Sequence, residues 1–163
     1  MKITELLPGD WEKLKTITLE SLQEEPKAFP TSYKRKLAFS EYKWSTWLLP
    51  FNEHSKSVSL FMINDHDEVV GKVTAVLSDE TQIEIVGLYI RKSYRSQGFG
   101  RQLLAELLEK INLLIKNRKL VLIVNAEEKE AVSLFESMGF LHAGTEEKMM
   151  GDGITYNLLV MEF

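Results

Sequence analysis

Two glycines one residue apart, Gly98 and Gly100, stand in a stretch dense with cations: Arg91, Lys92, Arg95 and Arg101. Residues of these types at this spacing suit the binding of an anion. A glycine-containing turn from a strand into a helix brings the unpaired amides of the first helical turn to one point, and the helix dipole adds partial positive charge there. Glycine lets the backbone turn sharply and approach a ligand with no Cβ in between. A diphosphate held by amides and cations together fits this arrangement. So does a plain strand-to-helix turn whose cations are solvated, and the loop taken alone leaves both readings open. Neither the G-x-x-x-x-G-K-[ST] loop nor the G-x-G-x-x-G fingerprint with a following acidic residue is present.

Such a loop needs a strand before it and a helix after it. "QIEIVGLYI", residues 82–90, reads as the strand, and its interior Gly87 signals a bulge or a close backbone approach. The spacing of Leu103, Leu104, Leu107, Leu108, Ile111, Leu114 and Ile115 predicts a helix over 98–117 with one broad apolar face. Upstream, "SVSLFMI" and "VVGKVTAVL" alternate as antiparallel strands around the turn "NDHDE". Before them lie an apolar segment at Ile3, a helix from an Asp10 N-cap to Pro26, and an aromatic-rich helix over 34–49. Downstream, "KLVLIVN" is a continuously apolar strand of the buried type, followed by a helix over 128–138 with Gly139 as its C-cap and a closing hairpin around Gly151-Asp152-Gly153.

Composition bounds what these elements can build. The chain has 163 residues, 44% of them hydrophobic, with no repeat or linker, so a single domain over 1–163 is expected. A formal charge of −4 gives no general attraction to polyanions, and nucleic acid is not expected as a partner. The absence of cysteine excludes disulfides, thiolate metal sites and a cysteine nucleophile. The charged first residues lack the apolar core of a signal peptide, and no apolar run approaches the roughly 20 residues of a membrane span. A soluble, cytoplasmic protein without a membrane partner is the expectation.

"GLYIRKSYRSQGFGRQLL" resembles the signature of the GNAT superfamily of acyl-CoA-dependent N-acetyltransferases, whose loop pattern [RQ]-x-x-G-x-[GA] appears here as Arg95-Ser96-Gln97-Gly98-Phe99-Gly100. "LIVNAEEKEAVSLFESMGF" is similar to the family's later strand and helix, "MMGDGITYNLLVMEF" to its terminal hairpin, and "EEPKAFPTSY" to the N-terminal region of one bacterial branch. The resemblance implies an α/β fold: a mixed, mostly antiparallel sheet, splayed between residues 82–90 and 120–125 and flanked by about four helices. It implies acetyl-CoA as the cofactor, lying in the split. Its pantetheine arm would pair with backbone groups of Leu88, Tyr89 and Ile90 like an added strand. Its pyrophosphate would rest on the amides of Arg95, Ser96, Gln97, Gly98, Phe99, Gly100 and Arg101, with Asn125 and Phe135 flanking the arm. The family's chemistry is direct attack of an amine on the thioester, and homodimers are common in it.

For catalysis the resemblance points to Glu84 as general base and to the Leu88 amide as oxyanion donor. A partly buried carboxylate at that place suits proton removal near neutral pH; its alternative is an outward-facing strand residue in a cross-strand ion pair. Tyr33, Trp47 and Tyr156, with Trp44, are the candidate acceptor-side residues, and the aromatic ones at helical spacing also read as core. The chain departs from the family at two places. Phe135 stands where many members carry a tyrosine acid, which leaves Tyr89, Tyr94, Tyr156, a serine or water to replace it, and Glu128 stands where an asparagine is frequent. Phe135 also suggests a second class of function, a non-catalytic acyl-CoA-binding or sensing module; a nucleotide-binding domain using the same loop is a third. The acidic "LQEEP" permits a cationic acceptor such as a polyamine or an aminoglycoside, and a peptide amine is equally compatible. No metal site is expected, because His54, His66 and His142 are scattered and Asp65, Asp67 and Glu68 lack the glycine and distal glutamate of a calcium loop.

Overall fold

The computed structural model describes residues 1–52, 55–115 and 117–163, so His54 lies outside the described residues. Among the described residues seven strands form one mixed sheet: β1 (Lys2–Thr4), β2 (Ser57–Ile63), β3 (Val69–Leu77), β4 (Gln82–Ile90), β5 (Lys119–Asn125), β6 (Leu141–Met149) and β7 (Thr155–Glu162). Their spatial order is β1-β2-β3-β4-β5-β7-β6. Every neighbouring pair is antiparallel except β4 and β5. That parallel pair is dictated by the connection, since a helix must carry the chain back across the sheet before β5 can start beside β4. The helices among the described residues are α1 (Trp11–Glu24), α2 (Tyr33–Leu37), α3 (Glu41–Thr46), α4 (Phe99–Leu114) and α5 (Lys129–Ser137).

Each face of the sheet has its own apolar core. Leu103, Leu104, Leu107 and Ile111 of α4 are buried with Val73, Ala75, Ile83, Ile85 and Leu122 on one face. Leu14 and Ile17 of α1 and Trp44 of α3 are buried with Phe61, Val69 and Tyr89 on the other. Alternation along each strand therefore sends Ile83 and Ile85 to α4, and Glu84 to the opposite face.

The helix expected over 34–49 is two short helices. The chain breaks at Ala38-Phe39, where Ser32 and Ser40 each accept a backbone N–H, from Arg35 at 3.3 Å and Lys43 at 3.2 Å. Two serine caps eight residues apart favour two helix beginnings over one continuous helix, and the break turns Phe39 onto Trp44 and Trp47. Helix α4 ends at Leu114, short of 117, where the backbone becomes extended at Ile115. Asp10 stands at the N-cap position of α1, as expected, but its carboxylate makes no bond to that helix and accepts the Leu7 amide at 3.0 Å within the preceding turn.

Gly87 is the hinge of the fold. Thr74 pairs with Val86 and Lys72 with Tyr89, so Gly87 and Leu88 together oppose Val73. With φ at +67°, Gly87 adopts the left-handed conformation of a glycine bulge. The bulge bends the outer half of β4, and pairing with β5 covers only Gln82–Ile85 against Lys119–Leu122. Beyond Ile85 the two strands part.

Candidate functional site

The parting of β4 and β5 opens a cleft of about 750 Å³. Its walls are the outer halves of the two strands, the start of α4, the inner face of α5 and the segment Ala28–Pro30. Arg91 N donates to Val70 O on β3 at 2.8 Å. Backbone groups of successive strand residues point to opposite edges, so Tyr89 also faces β3, while Leu88 and Ile90 turn their amides and carbonyls to the cleft. With no strand opposite them, they form an open edge able to accept an extended ligand. The Ile90 carbonyl is taken by Arg95 Nε at 2.8 Å. The side chain of Tyr89 points away into the second core, where its hydroxyl meets Glu24 at 2.7 Å and Glu20 at 3.1 Å. Burial and these carboxylates push its pKa far upward.

The loop at the end of the cleft turns through two left-handed residues, Ser96 at φ +59° and Gly98 at φ +81°. The first intrahelical bond of α4 runs from Gln102 N to Gly98 O, which leaves the amides of Phe99, Gly100 and Arg101 with no helical partner. The two glycines do different work. A Cβ at Gly98 would meet nothing within 4 Å, so the space over the loop is open. A Cβ at Gly100 would press on the Leu134 side chain at 3.3 Å, so the glycine lets α4 lie close against α5.

The cations around this loop are occupied. Arg91 makes a two-pronged contact with Glu20 at 2.9 and 3.0 Å. Arg95 contacts Glu25 at 2.9 Å, Lys92 stands 3.9 Å from Glu24, and Arg101 donates to Ser137 Oγ at 2.6 Å. The acids come from the end of α1, whose Glu20, Glu24 and Glu25 were invisible as partners in the sequence because some 70 residues separate them from the loop. Their helical spacing of four and five was the one available signal. The acids of "LQEEP" thus face this chain's own cations, Glu24 toward Lys92 and Glu25 toward Arg95.

Glu84 lies where strand pairing ends, half-buried in the cleft wall, with Val76 and Val121 as its neighbours in the sheet. The cross-strand ion pair is not formed: among the described residues no cation lies within 4.0 Å of it. Ser96, Phe99 and Phe135 also line the cleft, and Gln97 turns out to the surface, where its amide reaches Ser93 O. The buried Asn125 side chain is engaged by protein, donating to Lys27 O and accepting from Glu127 N, both at 3.0 Å, so it fastens β5 to the segment before α2. Glu128 faces Lys27 at 3.7 Å.

The acceptor-side residues expected from the sequence are placed elsewhere. Tyr33, Trp47 and Tyr156 are not among the residues that line the cleft. Trp47 stacks edge-on against Phe39 and Trp44 at 5.5 Å because the break before α3 folds these rings together. The Tyr156 hydroxyl donates to Asp152 at 2.7 Å, a bond that pushes its pKa up to about 12. Tyr94 accepts from Asn64 at 3.0 Å. A residue that the sequence reading passed over, Lys72, stands beside Gly87: its Nζ is 3.5 Å from where a Cβ on that glycine would sit. A lone lysine within an apolar strand was the signal. Among the described residues no helix is long and apolar enough to cross a membrane, and no three metal-ligating side chains converge.

Residues 16–140 match the family described as the acetyltransferase (GNAT) family. Solved structures share the fold. An acetyltransferase of GNAT family from Streptococcus pneumoniae superimposes with a TM-score of 0.81 at 20% identity, over 99% of this chain and 98% of that one. The ribosomal-protein-alanine N-acetyltransferase of Brucella melitensis gives 0.77 at 21% identity, over 100% and 99%. NAA60 of Arabidopsis thaliana, solved in complex with acetyl-CoA, gives 0.74 at 17% identity, over 99% and 97%.

Proposed function

Because the chain belongs to the acetyltransferase (GNAT) family, we propose that it moves an acetyl group from acetyl-CoA to a primary amine by direct attack within a ternary complex. One observation carries this reading: an open strand edge at Leu88 and the Ile90 amide and an open set of helix amides at Phe99–Arg101 border the same cleft. An elongated ligand with an extended polar arm and a doubly charged linkage fits that pairing, and the clear space over Gly98 leaves room for the linkage.

When bound, acetyl-CoA supplies the activated acetyl carbon. The chain's own residues do the rest. The amides of Phe99–Arg101 hold the diphosphate, and the cleft-facing groups of Leu88 and Ile90 align the pantetheine arm. The Leu88 amide, fixed by the bulge, stabilises negative charge on the acetyl oxygen as it develops. Glu84, half-buried and without a cation, takes the proton from the incoming amine, directly or through water. Of the tyrosines offered by the sequence as acids, Tyr89 and Tyr156 donate to carboxylates, whereas Tyr94 lines the cleft and only accepts from Asn64, so its hydroxyl or a water gives the departing thiolate its proton. A thiolate is a stable enough leaving group for this. The protein acts as a single domain, inside the cell, on a small-molecule or peptide amine.

Incubation with acetyl-CoA and a panel of amines, following thiol release, tests the reading. Turnover with an amine is the expected result. Tight binding of acetyl-CoA with no thiol release from any amine would favour the sensing module that Phe135 suggests.

A further inference from the structure

On the sheet face opposite α4, two lysines stand without an acid. Lys72 pairs through its backbone with Tyr89, but its ammonium reaches along the sheet to Gly87 and lies 5.8 Å from the centre of the Phe29 ring. Gly87 and Phe29 both line the cleft. Lys36 comes from α2 and lies over Trp47 at 3.6 Å and Phe39 at 4.8 Å. Among the described residues neither ammonium has a carboxylate within 4.0 Å. The charges that do reach them are cations: Lys36 acts on Lys72, and Arg35 and Lys43 act on Lys36. Burial first, and then repulsion from these cations, lower both pKa values to about 8.

A cation withdrawn from water without a counter-ion destabilises a fold. This chain has a net negative charge and sets Glu20 and Glu25 against Arg91 and Arg95, so an acid for Lys72 was within its means. Aromatic faces hold Lys36 in place through cation–π attraction while leaving its charge available. Unpartnered titratable groups at the edge of a cleft are a mark of ligand recognition. We propose that Lys72 binds an anionic group on the amine acceptor, a carboxylate or a phosphate, with Lys36 behind it adding positive potential. This rests on the acetyl-transfer reading and narrows its substrate class. Glu84 receives the amine end; three residues along β4, on the order of 10 Å away, Gly87 exposes Lys72 to the acidic end. A dipolar acceptor, an amino acid or a peptide with an acidic side chain or terminus, spans the two.

The test uses the full-length protein with acetyl-CoA and acceptors in matched pairs that differ in one group. These are free amino acids and their amides, ω-amino acids and their amides, tripeptides ending in carboxylate or carboxamide, and O-phosphoethanolamine against ethanolamine. Wild-type kcat/KM should favour the anionic member by about tenfold or more, the worth of a charge-assisted contact. The difference should lie mainly in KM. The last pair tells phosphate from carboxylate. In Lys72→Met the ratio should collapse to near unity, and Lys72→Arg should restore part of it, which loss of folding or a merely structural lysine would not produce. Equal use of both members by the wild type, or a ratio that survives in Lys72→Met, overturns the anion site while leaving acetyl transfer intact. No thiol release from any member, with acetyl-CoA bound, overturns the transfer reading and this inference with it.

Discussion

Around the glycine loop, Arg91, Arg95 and Lys92 each meet a glutamate from the end of α1; across the sheet, Lys36 and Lys72 meet none. Both regions are cationic in sequence, and only one is cationic in the folded chain. At the loop, pairing turns arginines into braces: Arg91 and Arg95 tie α1 to the outer end of β4, and Arg95 also holds the Ile90 carbonyl. What remains for an anion is the main chain and Arg101, which meets a serine and no acid. On the far face the charge is left open. A paired cation there would be a strut, and an unpaired one is a means of recognition.

The largest test of this contrast is at the loop. Gly98→Asp should weaken CoA binding by about 10²-fold or more, since a carboxylate brought against a diphosphate costs several kcal/mol. The chain should stay folded: the Cβ has clear space, and aspartate tolerates the left-handed backbone better than most residues. Calorimetry with CoA, alongside circular dichroism, reads both. Glu84→Gln addresses the other unpaired charge. Turnover near neutral pH should fall by about 10²-fold, and by much less at high pH, where the amine loses its proton unaided. Equal losses at both pH values would remove Glu84 as the base. Glu25→Ala is a smaller change with a decisive sign. If Arg95 is a brace, releasing it should weaken CoA about tenfold by loosening the loop. If loop arginines grip the diphosphate directly, freeing one should tighten binding instead.

Much of this architecture could be read from local pattern. The strand and helix periods, the glycine loop and the bulge at Gly87 are encoded within a few residues of where they act. The split sheet followed from likeness to a family, and the structure supplies its cause in the two-for-one pairing of Gly87 and Leu88 against Val73. What could not be read was partnership over distance. Trp47 is a pocket residue by likeness to the family and a core residue by its helical spacing, and the serine caps at 32 and 40 fold it into a ring cluster with Phe39 and Trp44. Asn125 looked free at a strand end and is bonded to Lys27. The acids of "LQEEP" looked available until Lys92 and Arg95 came to meet them. Spacing tells which face a side chain occupies, but only the assembled sheet tells which opposite charge arrives there first.

The smallest expected effect bears on what an open charge does to the fold. In Lys72→Met a side chain of similar length replaces the ammonium, so the destabilisation of burying a cation disappears while most of the packing on Phe29 is kept. Without acceptor, the variant should be more stable than the wild type, by roughly 1 kcal/mol once solvent screening of a half-buried group is allowed for. That corresponds to about 2–4 °C in Tm for a chain of this size. The sign reverses the usual expectation for losing a lysine, and pH gives an internal control. The folded chain releases the Lys72 proton near pH 8, whereas the unfolded chain keeps it to about 10.5. Between those values the unfolded state binds more protons, so this group makes the wild type more stable as pH rises. The advantage of Lys72→Met should therefore be full below pH 8 and fade toward pH 10.5, with Lys36 imposing the same trend on both proteins. Thermal unfolding of the pair at pH 7 and pH 10 measures it, and a variant less stable at both would mean that Lys72 is a strut after all, like the arginines of the loop.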